Sequence, residues 1–288
     1  MKIRYQVIIL SILIGFVACK SDEEKSVTRL NISGVYPHLA YYNDEGSECG
    51  TGAVVPWAGC LWVISYGSSN PYGSSDKLYQ ITPDLQQAVR PESVGGTHAN
   101  RMIHKETNQL FIGAYAIDDK GAVRVISLEK APGRHTGFAR HLYQPETKLY
   151  LASMEKGFYE VDANTLQTTT LYKNCSTWVQ SGFDPQTNYP EAPLLGEHGK
   201  GLYSGQGVLV YSNNGEPGER ALQQFDVESG SLSEWDGKEW KLVRRNQFTE
   251  VTGPGCIYGN ANPATDPIWV NGWDHKSVLL GVRDQGKW

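Results

Sequence analysis

Two short stretches hold residues able to move protons and grip anions. In "VGGTHANRMIHKETNQLFIGAY", His98 and Arg101 stand just ahead of an apolar run, and in "EHGKGLYSG" His198 lies a few residues before Tyr203. Histidine and tyrosine serve as general bases, and arginine holds a carboxylate through two parallel N–H bonds. Such a set suits removal of a proton from carbon beside a carboxylate, with the cation stabilising the enolate-like charge that develops. Gly95 and Gly96 precede His98, and glycines flank His198, so the backbone there can come close to a ligand or a neighbouring strand. Arg101 could instead tie loop carbonyls together, and Tyr203 could simply pack in a strand. Arg245, in "VRRNQFTE", is a further candidate for carboxylate binding. His104, ahead of the "KETN" turn, reads as a solvated turn residue.

The elements that must position these groups are strands. "GAVVPWAGCLWVISYG", "NQLFIGAYAI", "TKLYLASM", "GVLVYSNN" and "DPIWVNGW" are short runs rich in β-branched and aromatic residues, bounded by Gly, Pro, Asn and Asp. No window sustains a helical apolar period beyond the first residues. The chain therefore reads as all-β.

The strands recur as units. Taking Trp62, Leu110, Leu149, Leu209 and Trp269 as equivalent positions on inner strands gives intervals of 48, 39, 60 and 60 residues. Each unit continues into an outer strand ending near an acidic or Thr-Pro turn, as in "KLYQITPDLQQ" and "GFYEVDANTLQ". Several strands per unit at this period predict a β-propeller of about five blades. Five blades leave two possibilities: a ring closed by the N-terminal segment "VTRLNISGVYPHLAYYN", or the first part of a larger propeller.

Composition narrows the function classes. The 288 residues carry a net charge of −5 and no basic run longer than Arg244-Arg245, which argues against nucleic acid as a partner. With 8 Trp and 16 Tyr the chain has the aromatic residues that stack on sugars, although β-sheet cores use them as readily. Cys49 and Cys60 could close a short disulfide loop; otherwise Cys49, Cys60, Cys175 and Cys256 are buried thiols. Their spacing fits no zinc pattern, and "GGTHANRMIH" is not a dinucleotide fingerprint, so no metal or cofactor is expected.

The first residues read as a leader. Lys2 and Arg4 precede an uncharged, mostly apolar run from Val7 to Ala18, too short to span a membrane as a helix. "FVAC" resembles the lipobox of bacterial lipoproteins, which implies lipidation of Cys19. The following "KSDEEK" is similar to the acidic tag of surface-exposed lipoproteins of glycan-foraging bacteria. The expected organisation is a signal over 1–19, an acidic tether over 20–30 and a propeller over 31–288, anchored at the outer membrane by lipid alone and facing outward.

Four longer strings, "GVYPHLAYYNDEGSECGTGAVVPWAGCLWVISYG", "GSSDKLYQITPDLQQAVRPESVGGTHANRMIH", "EHGKGLYSGQGVLVYSNNGE" and "FTEVTGPGCIYGN", together resemble the seven-bladed propeller enzymes that cut the L-rhamnose-α-1,4-D-glucuronate cap of arabinogalactan side chains. The resemblance spans almost the whole chain after Cys19 and implies an incomplete seven-bladed propeller, since that family's last blades have no counterpart here. It implies an enzyme removing rhamnose from a plant-type polysaccharide, by β-elimination or by hydrolysis. Under elimination, His98, His198 and Tyr203 are the catalytic candidates, with Arg101 and Arg245 on the substrate. Under hydrolysis, His38 in "VYPHLAYYN" takes the catalytic place, because the ordinary pair of glycosidase carboxylates cannot be picked out. The alternative is a truncated propeller lipoprotein that binds glycan without turning it over, or is inactive.

Overall fold

The structure is a computed structural model that describes residues 39, 50–66, 75–95, 101–154, 156–173, 199–213, 230–273 and 277–288. His38, His98, His198, Cys19, Cys49 and Cys175 lie outside the described residues.

Every sheet is a small antiparallel meander whose strands lie in chain order. The first contains β1 (Gly50–Trp57), β2 (Cys60–Tyr66), β3 (Leu78–Ile81) and β4 (Gln87–Val89). The second contains β5 (Arg101–His104), β6 (Gln109–Ile112), β7 (Tyr115–Asp118) and β8 (Val123–Val125). The third runs β9 (His135–Arg140), β10 (Lys148–Ser153), β11 (Gly157–Asp162) and β12 (Thr168–Lys173). The fourth runs β13 (Gly199–Gly205), β14 (Val208–Asn213), β15 (Ser231–Trp235) and β16 (Trp240–Arg244). The fifth has three strands, β17 (Gln247–Thr252), β18 (Ile268–Trp273) and β19 (Val278–Arg283). No α-helix occurs among the described residues.

Successive sheets pack face to face, and the two-residue side-chain period of each strand divides its apolar groups between two neighbours. On β10, Leu149 and Leu151 join Met102, Phe111 and Phe138 in a core shared with the second sheet. Tyr150 and Ala152, pointing the other way, join Leu202, Leu209 and Tyr211 of the fourth. Between the fourth and fifth sheets lie Val208, Val210, Phe248, Val251, Ile268 and Val270. Between the first and second, the indole N–H of Trp57 donates to the carbonyls of Ile117 at 3.0 Å and Asp118 at 2.9 Å. Chain-ordered meanders stacked in this way are five blades of a β-propeller.

The repeat markers of the sequence fall at equivalent places, but not on the innermost strands. Trp62, Leu110, Leu149, Leu209 and Trp269 lie on β2, β6, β10, β14 and β18, the second strand of each blade. The second strand is usually buried on both faces and so reads as the most apolar run. The first strands β9, β13 and β17 lie side by side, and space there is tight. A Cβ on Gly137 would fall 2.7 Å from that of Leu202, and one on Gly201 would fall 2.6 Å from the Val251 nitrogen. The crowding selects small residues and hides these strands from a search for apolar runs. Gly201→Ala is expected to destabilise the fold by about 2 kcal/mol, because the obstacle is backbone that cannot rotate away; a urea midpoint unchanged from the parent would contradict this.

Of the segment considered for closing the ring, only Leu39 is described; it packs against Val63, Tyr79 and Ile81 of blade 1. Cys60 is a free, half-buried thiol whose sulfur accepts a hydrogen bond from the Gln80 amide at 3.2 Å; the Cys49 end of the loop considered for a disulfide lies outside the described residues. Cys256 is also free, but exposed where a buried thiol was expected, because its turn lies at the edge of a cavity.

Candidate functional site

First strands of four successive blades, β5, β9, β13 and β17, border a cavity of about 270 Å³. Its apolar lining includes Met102, Phe138, Leu202 and Val251. The groups with chemistry are Arg101 at the start of β5, Arg140 at the end of β9, Tyr203 in the middle of β13, Glu250 on β17 and Cys256 beyond it. Two arginines from adjacent blades and one phenol therefore converge on a space of roughly sugar size. Bulges at Gly199/Gly201 and Phe248/Val251 interrupt the two strands on one side, and such bulges re-aim side chains next to functional sites.

The far wall is the "GPGCIYGN" segment, which turns through a 3-10 helix at Cys256–Tyr258. Gly259 has φ +68°, and a Cβ there would meet the Arg140 side chain at 2.9 Å, so glycine both makes the turn and leaves room for the guanidinium stem. Asn260 ties this wall to β13. Its Oδ1 accepts the Tyr203 hydroxyl at 2.9 Å, while its amide nitrogen lies 3.3 Å from the carbonyls of Asp266 and Pro267. Lys105 lies over the Tyr258 ring, 5.6 Å from its centroid.

Electrostatics define what each group can do. Arg140 is paired with Glu106, and burial lowers its pKa from the ordinary value, although guanidinium remains charged near neutrality. One carboxylate occupies only part of a five-donor fork, so Arg140 can hold Glu106 and still present N–H groups to an anion. Burial raises the Tyr203 pKa well above the ordinary tyrosine value, against a smaller opposing effect of the Arg140 charge. Tyr203 is therefore protonated at neutral pH, with its O–H directed at Asn260 Oδ1. Tyr115 serves the entrance to β5: its hydroxyl accepts the Val94 N–H at 2.8 Å and donates to the Gly95 carbonyl at 2.8 Å. Burial pushes that phenol up to about 12. The loop carrying His98 is thus fixed at Gly95, where the described residues stop.

Of the candidates read from the sequence, Arg101 and Tyr203 meet at one cavity. Arg245 does not line it; it lies at the turn before β17, with its guanidinium 3.5 Å from the Gly230 carbonyl. Arg140 was missed, although an arginine on the strand just upstream of a repeat marker, in "GFARHLYQPETKLYL", was a usable signal.

His104 is not a solvated turn residue. It is fully buried, with Nδ1 2.8 Å from the Thr107 hydroxyl and Nε2 3.7 Å from the Glu106 carboxylate. Its strand is buried on the side that packs on blade 3, which outweighs the turn that follows. His141 is likewise structural: Nδ1 accepts the backbone N–H groups of Tyr143 and Gln144 at 3.1 and 3.0 Å, and Nε2 donates to Glu160 at 2.9 Å. Burial lowers both histidine pKa values below the ordinary 6.5. The neutral rings favour the fold, so their contribution is complete above about pH 6.5 and is lost as the pH falls toward the depressed folded values. Urea midpoints should accordingly decline from pH 7 to pH 5, and His104→Gln should flatten that decline; an equally steep decline in the variant would exclude His104 as a source.

No family model matches the chain, and no curated protein matches it. Among solved structures it is similar to the extracellular domain of a hybrid two-component system from B. thetaiotaomicron, at 14% identity and a TM-score of 0.46. That match covers 83% of this chain and 29% of the other, so the chain spans less than a third of that structure's length. A thermostable family-43 glycoside hydrolase is similar at 10% identity and a TM-score of 0.32, covering 86% of this chain and 94% of that one. An auxiliary nutrient binding protein from Bacteroides thetaiotaomicron is similar at 9% identity and a TM-score of 0.33, over 83% of this chain and 70% of the other.

Proposed function

We propose that this chain is a surface carbohydrate-active propeller that removes L-rhamnose from rhamnosyl-glucuronate caps, with the cavity bordered by β5, β9, β13 and β17 as its uronate site. The observation that carries the reading is the convergence of Arg101, Arg140 and Tyr203 on that one cavity. The motif resemblance supplies the substrate class. A lipid on Cys19 would hold the protein at the outer membrane, facing polysaccharide outside the cell.

In the elimination variant of the reading, the two arginines hold the uronate carboxylate and stabilise negative charge on it as a proton leaves the adjacent carbon. His98 or His198 takes that proton. The glycosidic bond to rhamnose then breaks on the uronate side, and the protonated Tyr203 gives its proton to the departing oxygen. The products are free rhamnose and an unsaturated uronate. In the hydrolytic variant a water is added instead, and His38 is the catalytic candidate.

The test is incubation with a rhamnosyl-glucuronate oligosaccharide, following free rhamnose and the ultraviolet absorbance of an unsaturated uronate. Absence of rhamnose would end the enzymatic reading. Rhamnose without the absorbance would select hydrolysis. Retardation in gum arabic gels without any product would select the non-catalytic glycan-binding alternative.

A further inference from the structure

We propose, on the uronate reading given above, that Glu106 is a positioning residue of the cavity: an internal counter-ion that holds Arg140 while His104 is neutral and yields it as His104 takes up a proton. Glu106 stands on the turn after β5 and reaches across to blade 3, where its Oε1 pairs with Nη2 of Arg140. The same guanidinium lies against the cavity wall, since a Cβ on Gly259 would stand 3.7 Å from Nη1. One arginine is thus shared between a carboxylate of the protein and the cavity that it lines.

Three buried atoms of this cluster make no hydrogen bond: Oε2 of Glu106, Nε2 of His104 and Nε of Arg140. The first two are 3.7 Å apart, too far for a hydrogen bond and too close for a water to stand between them. The His104 side chain has no solvent exposure, and Nδ1 is satisfied by the Thr107 hydroxyl at 2.8 Å. A proton on the ring would therefore turn an unsatisfied contact into an ion pair, closed by a small movement of the carboxylate.

The other groups around the ring do not supply that partner. Arg140 on β9 repels an imidazolium, Lys148 at the start of β10 is engaged with Glu160 at 2.7 Å, Glu146 on the turn between them acts on Arg140, and Phe111 on β6 meets the ring edge-on. Burial holds the His104 pKa below the ordinary 6.5, helped by the Arg140 charge and opposed by the backbone of Pro145 and Lys148. Both consequences of protonation have one sign at the cavity. Drawing Glu106 toward His104 frees charge and N–H groups of Arg140, and the imidazolium adds a positive charge to the cluster. Affinity for an anion is therefore gained as the pH falls through the His104 pKa and lost as it rises again. A sugar carboxyl of ordinary acidity, with a pKa of about 4, keeps its own charge over most of that range.

Calorimetric titration of the purified protein with D-glucuronate should show affinity rising about threefold or more from pH 7.5 to pH 5. His104→Gln should match the parent at pH 7.5 and lack the rise. Glu106→Gln should bind about threefold more tightly than the parent at pH 7.5, because its amide lays no charge on Arg140, and should change little with pH. Near-ultraviolet circular dichroism verifies that each variant is folded, and if His104→Gln is not, the Glu106→Gln comparison decides alone. An affinity in the parent that does not change with pH, a rise kept by folded His104→Gln, or a Glu106→Gln variant that binds no more tightly than the parent would each overturn the inference while leaving the uronate site in place. A parent that binds no D-glucuronate at any pH would overturn the uronate site, and this inference with it.

Discussion

Replacing Arg140 by alanine is expected to lower stability by about 2–3 kcal/mol and to abolish retention of an anionic glycan. The stability loss comes from Glu106. Its side chain is only 15% exposed and would stay behind as an unpaired charge, the costly way of breaking an ion pair away from water. Partial exposure of both partners keeps the effect below that of a fully buried pair. The double variant Arg140→Ala/Glu106→Ala separates the two roles. It should recover part of the lost stability, since no stranded carboxylate remains, yet recover none of the glycan binding. Urea denaturation and affinity electrophoresis on the same preparations read the two effects. If binding returned with stability, Arg140 would be a structural arginine only.

Tyr203→Phe should cost a comparable amount of stability and much rate. Loss of the hydroxyl leaves the Oδ1 of buried Asn260 without its donor, a cost of about 1–3 kcal/mol. Loss of a proton donor at the leaving oxygen is expected to slow rhamnose release about 10²- to 10⁴-fold. The pH profile provides a second check. A phenol whose pKa lies above the ordinary value of 10 keeps its proton throughout the neutral and mildly alkaline range. Release by the parent should therefore show no alkaline fall assignable to Tyr203 below about pH 10. A variant that releases rhamnose at the parental rate would remove Tyr203 from the mechanism and leave it as a packing residue between blades 4 and 5.

How much of this was legible beforehand is clearest from single residues. Leu149 and Leu209 were recognisable as repeat markers because the second strands of blades 3 and 4 are enclosed by sheets on both sides and must be apolar along their length. Arg101 and Tyr203 stood out by type, and both line the cavity. His104 misled: it stands directly before a polar turn, but the turn is at the rim while the ring points into the packing between blades 2 and 3. Arg140 went unnoticed although it stands just upstream of a repeat marker, because its partner is distant in the chain. Its pairing with Glu106 crosses from one blade to the next.

By itself the sequence determined the all-β class, the repeat and the residue types available for chemistry, because these depend on local periodicity and composition. Only the tertiary structure decided which strands are innermost and that Arg101, Arg140 and Tyr203 share a cavity. Those facts follow from how sheets far apart in the chain stack on one another, and stacking is settled by steric fit between blades, such as the approach allowed at Gly137 and Gly201. No single strand contains that information.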